Sequence, residues 1–355
     1  MKPVKLLMLI LALVPALCRA QDSVSARMIF IGDAGEMSPA QSRVISGAAA
    51  RVIAGKTTVM FLGDNIYPRG MSLADDHSRG ESILRSQFVP LSAAGARVFF
   101  VPGNHDWDRM GPGGLGKIKA QWRFITALDD SLVKFVPPDG CPDPVAIPVT
   151  DSVVIVAWDS EWWVFPYDKD NAGADCNCST ERDVVNAFRE ILYRNRGKTI
   201  ILAMHHPFYS DGVHGGHFTW KDYFFPLTAV KPHLYIPLPG IGAIYPVYRK
   251  LFPNPEDLSH PLYKQMIKDV GAVFSAYPNV ILASGHDHGL QLIDRPSLNR
   301  LQIVSGGGSK LNPVGRGKYS LYSAATEGYV VADAMKDGSV RVRVFALKDD
   351  TLSGA

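Results

Sequence analysis

Five times along the chain a short apolar run ends in a loop of Gly, Asp, Asn or His, and this recurrence limits the fold more than any other feature. Arg27 to Ile31 leads into Gly32-Asp33-Ala34-Gly35, Thr58 to Leu62 into Gly63-Asp64, and Arg97 to Val101 into Pro102-Gly103-Asn104-His105-Asp106. Thr199 to Met204 leads into His205-His206-Pro207, and Val280 to Ala283 into Ser284-Gly285-His286-Asp287-His288. Short runs rich in β-branched and apolar residues, closed by a glycine turn, read as buried strands. Helical segments fit between them at Ala40 to Ile53, Glu181 to Arg194 and Leu262 to Ala276. Alternating strands and helices predict an α/β core. Leu301 to Val304, Tyr329 to Val331 and Val340 to Val344 read as a second set of strands. The expected fold is therefore α/β (α+β): a four-layer αββα sandwich of two mixed sheets with helices outside.

The strand ends carry the chemistry. Asp64 stands just past a strand's carboxyl end, where open α/β sheets bind ligands. Tyr67 follows three residues later, in Gly63-Asp64-Asn65-Ile66-Tyr67-Pro68. A carboxylate bridges two cations, and a phenolate is a hard ligand suited to a trivalent one. Asp64 is thus expected to bridge a two-metal centre, with Tyr67 marking one metal as ferric iron. Any one Asp or His in such a loop reads equally well as a turn or cap residue. Five such loops on one sheet edge read as one site.

The first 20 residues read as a secretory signal peptide: Lys2 and Lys5, an apolar stretch from Leu6 to Leu17, then Cys18-Arg19-Ala20 as a small-residue cleavage site. Export to a periplasm or full secretion is the expectation, with residues 21–355 forming a single domain and no run long enough to cross a bilayer. Removing Lys2, Lys5 and Arg19 lowers the formal charge from +3 to zero, so no basic stripe argues for nucleic acid. An exported chain permits a disulfide, and Cys141 with either Cys176 or Cys178 is the expected pair, which leaves an odd thiol. Cys-Asn-Cys alone lacks the further ligands of a zinc site. Gly306-Gly307-Gly308-Ser309-Lys310 lacks the spacing of a phosphate-binding P-loop and reads as a turn after a strand. No Gly-x-Ser-x-Gly elbow is present to suggest a serine hydrolase.

Asp-x-Gly at Asp33, Gly-Asp-x-x-Tyr at Gly63, Gly-Asn-His-Asp at Gly103, a strand-end His205 and Gly-His-x-His at Gly285 resemble, in this order, the calcineurin-like metallophosphoesterases. The tyrosine of the second motif makes the chain similar to the purple acid phosphatases, especially the small mammalian-like type. What the resemblance implies is a ferric site of Asp33, Tyr67 and His288, and a divalent site of Asn104, His205 and His286, with Asp64 shared. The second metal of that family is iron, zinc or manganese. His105 matches the family's active-site histidine, and His214, nine residues after His205, matches one that enters the active pocket. His206 is expected behind the ligands, because neighbouring residues beyond a strand's end point apart. Asp106 is expected to orient His105 or to cap the following helix. His77, His217, His233 and His260 read as structural or exposed.

A small phosphate ester is the implied substrate, hydrolysed by a metal-bound hydroxide in line with the leaving alcohol while His105, with or without His214, protonates the leaving oxygen. The alternatives are a phosphodiesterase or nucleotide hydrolase using two divalent ions, and an exported binding protein with a decayed metal site. Residues 217–260, rich in Pro, Gly and aromatics, read as an insertion: a lid shaping substrate choice, an irregular loop packed on the core, or a membrane contact.

Overall fold

Residues 24–354 are described by the computed structural model, apart from 75, 219–222, 226, 228–233, 239–243, 296–299 and 349–350. The expected signal peptide and His233 lie outside the described residues. Fourteen strands form two seven-stranded sheets. The first has the order β14-β13-β12-β1-β2-β3-β4 and the second β11-β9-β10-β8-β7-β6-β5. Their ranges are β1 Val24–Ile31, β2 Thr57–Leu62, β3 Arg97–Val101, β4 Val133–Phe135, β5 Val145–Pro148, β6 Val153–Ala157 and β7 Thr199–Ala203. The remainder are β8 Val280–Ser284, β9 Leu290–Arg295, β10 Arg300–Ser305, β11 Ser320–Ala324, β12 Gly328–Met335, β13 Val340–Lys348 and β14 Thr351–Gly354.

The uninterrupted apolar runs have a direct cause. Met28, Phe30, Met60 and Leu62 alternate with Ile29, Ile31, Val59 and Phe61, and the two sets belong to different cores. The first set meets Ile155, Ile201, Ala283 and Ile303 of the second sheet. The second set packs under helices α1 (Pro39–Ala49), α2 (Ser78–Ala93) and α3 (Gly114–Ala127). A strand buried on both faces has no polar side, so period-two alternation disappears. The outer layer of the second sheet holds α4 (Glu161–Val164), α5 (Glu181–Arg194) and α7 (Pro261–Phe274). Helix α6 (Ile244–Leu251) lies within the 217–260 segment, which is therefore not wholly irregular.

Strands β1 to β4 are mutually parallel, as are β6, β7, β8 and β10. Their carboxyl ends consequently deliver all five polar loops to one side. One expectation needs correction: the last third of the chain does not build a sheet of its own. After β8, strands β9, β10 and β11 join the second sheet, whereas β12 pairs antiparallel with β1 from Val24↔Met335 to Phe30↔Val330 and carries β13 and β14 behind it. Closing the exposed edge of β1 removes a row of unpaired backbone groups. Helix α1 also stops at Ala49, short of the expected Ile53, because the Ile53 amide donates to Thr57 Oγ1 at 2.7 Å and turns the chain into β2. Among the described residues no helix is long and apolar enough to cross a membrane.

Candidate metal centre

The loops are tied to one another before any side chain is considered. The Asp33 amide donates to the Gly63 carbonyl at 3.0 Å, and the Gly285 amide to the His205 carbonyl at 3.1 Å. Asp33, Asp64 and His286 all take left-handed backbone conformations, with φ of 59, 55 and 72°. Non-glycine residues rarely adopt that region, and clusters of them occur where surrounding structure holds side chains in place for function. Gly103 permits a close approach: a Cβ there would stand 2.4 Å from the Asp64 amide nitrogen and 2.5 Å from its Oδ1.

Two groups of donor atoms result, meeting at Asp64. In the first, the Tyr67 hydroxyl lies 3.2 Å from Asp33 Oδ1 and 3.2 Å from His288 Nε2. Asp33, Asp64 and His288 each bring a ligand atom within 4.8 Å of the others. In the second, His205 Nε2 lies 2.8 Å from Asn104 Oδ1, 3.1 Å from His286 Nδ1 and 3.5 Å from Asp64 Oδ1. All seven residues are buried except His288, which is half-buried. The structure thus brings Asp33, Asp64, Tyr67, Asn104, His205, His286 and His288 together as two adjoining groups.

The second group fits a cation on its protonation pattern. His205 Nδ1 faces the Leu62 carbonyl at 2.8 Å, and His286 Nε2 faces the Glu256 carbonyl at 2.8 Å. A carbonyl oxygen only accepts, so each of those nitrogens carries the proton, and in the neutral rings His205 Nε2 and His286 Nδ1 are bare. Two lone pairs then face each other, with the Asn104 carboxamide oxygen and the Asp64 carboxylate beside them. A proton relieves one such pair; a metal ion relieves all of them together. The electrostatics agree. Burial disfavours a charged His205, yet Asp64, Asp33 and the Leu62 carbonyl raise it above the usual histidine range. Burial also works against the Asp64 charge, but His105 and His205 hold its carboxyl at about 2. In the first group, burial and then Asp64 and Asp33 hold the Tyr67 phenol well above its ordinary range. Only a highly charged cation against those oxygens turns it into a phenolate ligand.

Around the donors stand groups of different kinds. His105 Nδ1 lies 2.7 Å from the Pro68 carbonyl, which leaves Nε2 bare in the neutral ring, 3.9 Å from Asp64 Oδ2. His214 Nδ1 lies 3.1 Å from Asp257 Oδ1 and 3.3 Å from the Arg249 guanidinium, and its ring lies over His286 with centroids 3.9 Å apart and a 34° tilt. A cavity of about 260 Å³ opens beside it, lined by Phe218, Tyr223, Arg249 and Lys250. His206 faces away from the donors, toward Ser160 Oγ at 2.9 Å and Glu161 Oε2 at 3.5 Å. His260 accepts from the Leu262 amide at the start of α7.

One reading of the sequence is corrected here and another is extended. Asp106 neither orients His105 nor caps a helix. It accepts from the Gly103, Asn65 and Ile66 amides at 2.9, 3.0 and 3.1 Å and from Asn65 Nδ2 at 3.1 Å, clamping the Asp64 loop to the Asn104 loop. The turn Gly306 to Lys310 does follow a strand, but it also joins the site. Ser309 Oγ donates to the Asp33 carbonyl at 2.6 Å, and Lys310 Nζ sits 3.7 Å from the Tyr67 ring centroid. Trp162 and Trp163 are packing residues, both buried. Of the cysteines, Cys141 pairs with Cys176, and Cys178 is free and buried. Sequence reasoning missed Glu256 altogether; no motif or period marks it.

Comparison with known proteins adds the following. The calcineurin-like phosphoesterase profile matches residues 26–231. No curated protein matches the chain. Among solved structures, the purple acid phosphatase PPD1 from yellow lupin seeds superposes with a TM-score of 0.56 at 14% identity, over 92% of this chain and 52% of that one. GAP50, the anchor in the inner membrane complex of Plasmodium, does so with a TM-score of 0.52 at 15% identity, over 94% and 88%. At such identities the likeness is one of fold alone.

Proposed function

The chain belongs to the calcineurin-like phosphoesterase family, and from that premise we propose that it is an exported phosphatase hydrolysing small phosphate monoesters at an iron-containing two-metal centre. The observation that carries the reading is the convergence of ligand atoms on either side of Asp64: a hard set of Asp33, Tyr67 and His288, and a softer set of Asn104, His205 and His286. The hard set suits Fe(III), and the softer set suits divalent iron, zinc or manganese. A pair of metals there, when bound, offsets the charge of the phosphoryl oxygens and acidifies the attacking water.

This chain's own residues do the rest. His105, with Nδ1–H fixed on the Pro68 carbonyl, presents Nε2 on the Asp64 side and in its protonated form supplies the leaving oxygen with a proton. His214, held by Asp257, serves as the second acid at the mouth of the 260 Å³ cavity, which receives the leaving alcohol. Phe218, Tyr223, Arg249 and Lys250 of the 217–260 segment wall that cavity, and in this reading they shape substrate choice. Lys310, paired with Glu36 at 3.2 Å, sets a positive charge against the Tyr67 ring. The Cys141–Cys176 disulfide supports an oxidising compartment.

The same fold serves GAP50 as an anchor, so it is the complete donor set and not the architecture that favours catalysis. The test is elemental analysis with a visible spectrum of the purified protein, followed by assays on p-nitrophenyl phosphate and its bis ester. Iron with one further metal per chain, a tyrosinate band and preference for the monoester are expected. Two divalent ions, no band and preference for the bis ester would replace this reading with a phosphodiesterase.

A further inference from the structure

We infer that Glu256 is a positioning residue for the second metal site, holding two of its ligands at once. The assignment rests on the two-metal reading above. An asparagine ligand has to present oxygen, and its carboxamide can turn either way. The Asn104 amide nitrogen Nδ2 donates to Glu256 Oε1 at 2.8 Å, across 152 residues of chain. Glu256 Oε1 is the acceptor in this contact, so it selects the NH₂ end and leaves Oδ1 facing His205 Nε2. The second grip is made by the backbone. The Glu256 carbonyl takes Nε2–H of His286 at 2.8 Å, which leaves Nδ1 as the bare nitrogen facing His205.

Glu256 is itself held firmly enough to do this. Its amide donates to Asn254 Oδ1 at 3.1 Å, and the Asp257 amide to the Asn254 carbonyl at 2.8 Å. Asp257 takes a pair of hydrogen bonds from Arg249 of α6 and one from His214, and the Leu258 amide donates to the His214 carbonyl at 3.0 Å. The end of the 217–260 segment is thereby built into the metal site. Outer partners of this kind fix ligand rotamer and tautomer, and their loss typically weakens metal affinity by about 10–100-fold.

The experiment uses iron-loaded full-length protein dialysed against graded Mn²⁺, with both metals counted by elemental analysis. Glu256→Ala is expected to need about 10–100-fold more Mn²⁺ for half-occupancy, with iron content and melting temperature unchanged. Glu256→Gln keeps an acceptor oxygen for Asn104 and the same backbone carbonyl, and is expected to bind close to wild type. Equal Mn²⁺ uptake by wild type and Glu256→Ala overturns the assignment while leaving the two-metal reading intact. A Glu256→Gln protein as weak as Glu256→Ala also overturns it, since acceptor geometry is then not what counts. Wild-type protein that takes up no second metal removes the two-metal reading and this assignment together.

Discussion

Asp106→Asn separates a brace from a catalytic partner. The Asp106 side chain is wholly buried and takes four N–H donors from two loops: Gly103, Asn65 and Ile66 amides and Asn65 Nδ2. Asparagine has the same shape but exchanges one oxygen for an NH₂; with that NH₂ in place of Oδ1 the Ile66 amide would face another donor, while the Gly103 amide, the Asn65 amide and Asn65 Nδ2 keep the remaining oxygen. Hydrogen bonds to a charged acceptor contribute about 1.5–3 kcal/mol each, and a stranded buried donor costs about 1–3 kcal/mol. One lost bond gives a gross cost of about 1.5–3 kcal/mol. Removing a negative charge next to Asp64 offsets part of that, so a net destabilisation of about 1–2 kcal/mol is expected. The assay is equilibrium unfolding in urea at fixed metal concentration, read as a shift in midpoint at unchanged slope. Metal content should fall as well, because Asp64 and Asn104 sit on the two loops that come apart. A variant as stable as wild type, with normal metal content and only slower turnover, would refute the brace and return Asp106 to a role beside His105.

Three further changes test other parts of the site and fold. Tyr67→Phe should abolish the visible band of the iron-loaded protein, and a wild type that binds iron without colour would refute the phenolate assignment. His105→Ala should lower turnover by about 10²–10⁴ with both metals retained, since its ring donates to Pro68 and not to a metal-facing group; loss of metal in elemental analysis would contradict this. Cys141→Ser opens a loop with a sequence separation of 35 and should cost about 3–4 kcal/mol in urea unfolding. Cys178, whose thiol is pushed up to about 12 by burial and then Asp143, should resist alkylation at pH 8 until the chain unfolds.

The seven ligand candidates were legible in the sequence because each follows an apolar run at the end of a parallel strand. In such a sheet the carboxyl ends all open on one side, so strand-end residues meet whatever the loops between them do. Asp33 and His288 come together across most of the chain for that reason alone, their ligand atoms 3.4 Å apart. The same local signal identified His105 and the helix Glu181–Arg194, whose Thr180 and Asp183 form a capping box.

Other features have no local signal. The partner of Asn104 is a glutamate in Pro253-Asn254-Pro255-Glu256, which reads as an ordinary turn. Asp106 looks like a partner for its neighbour His105 until the Asn65 and Ile66 amides are seen above it. Pairing Cys141 with Cys176 and not Cys178 depends on where the loop before α5 places each thiol. The return of β12 to the edge of β1 depends on which strand was left unpaired. The sequence by itself determined which atoms can hold metal, since that is a property of residue type and of strand ends. Which way Asn104 and His286 turn those atoms was decided by tertiary structure, because one hydrogen bond from a distant segment selects between orientations that the local chain leaves equal in energy.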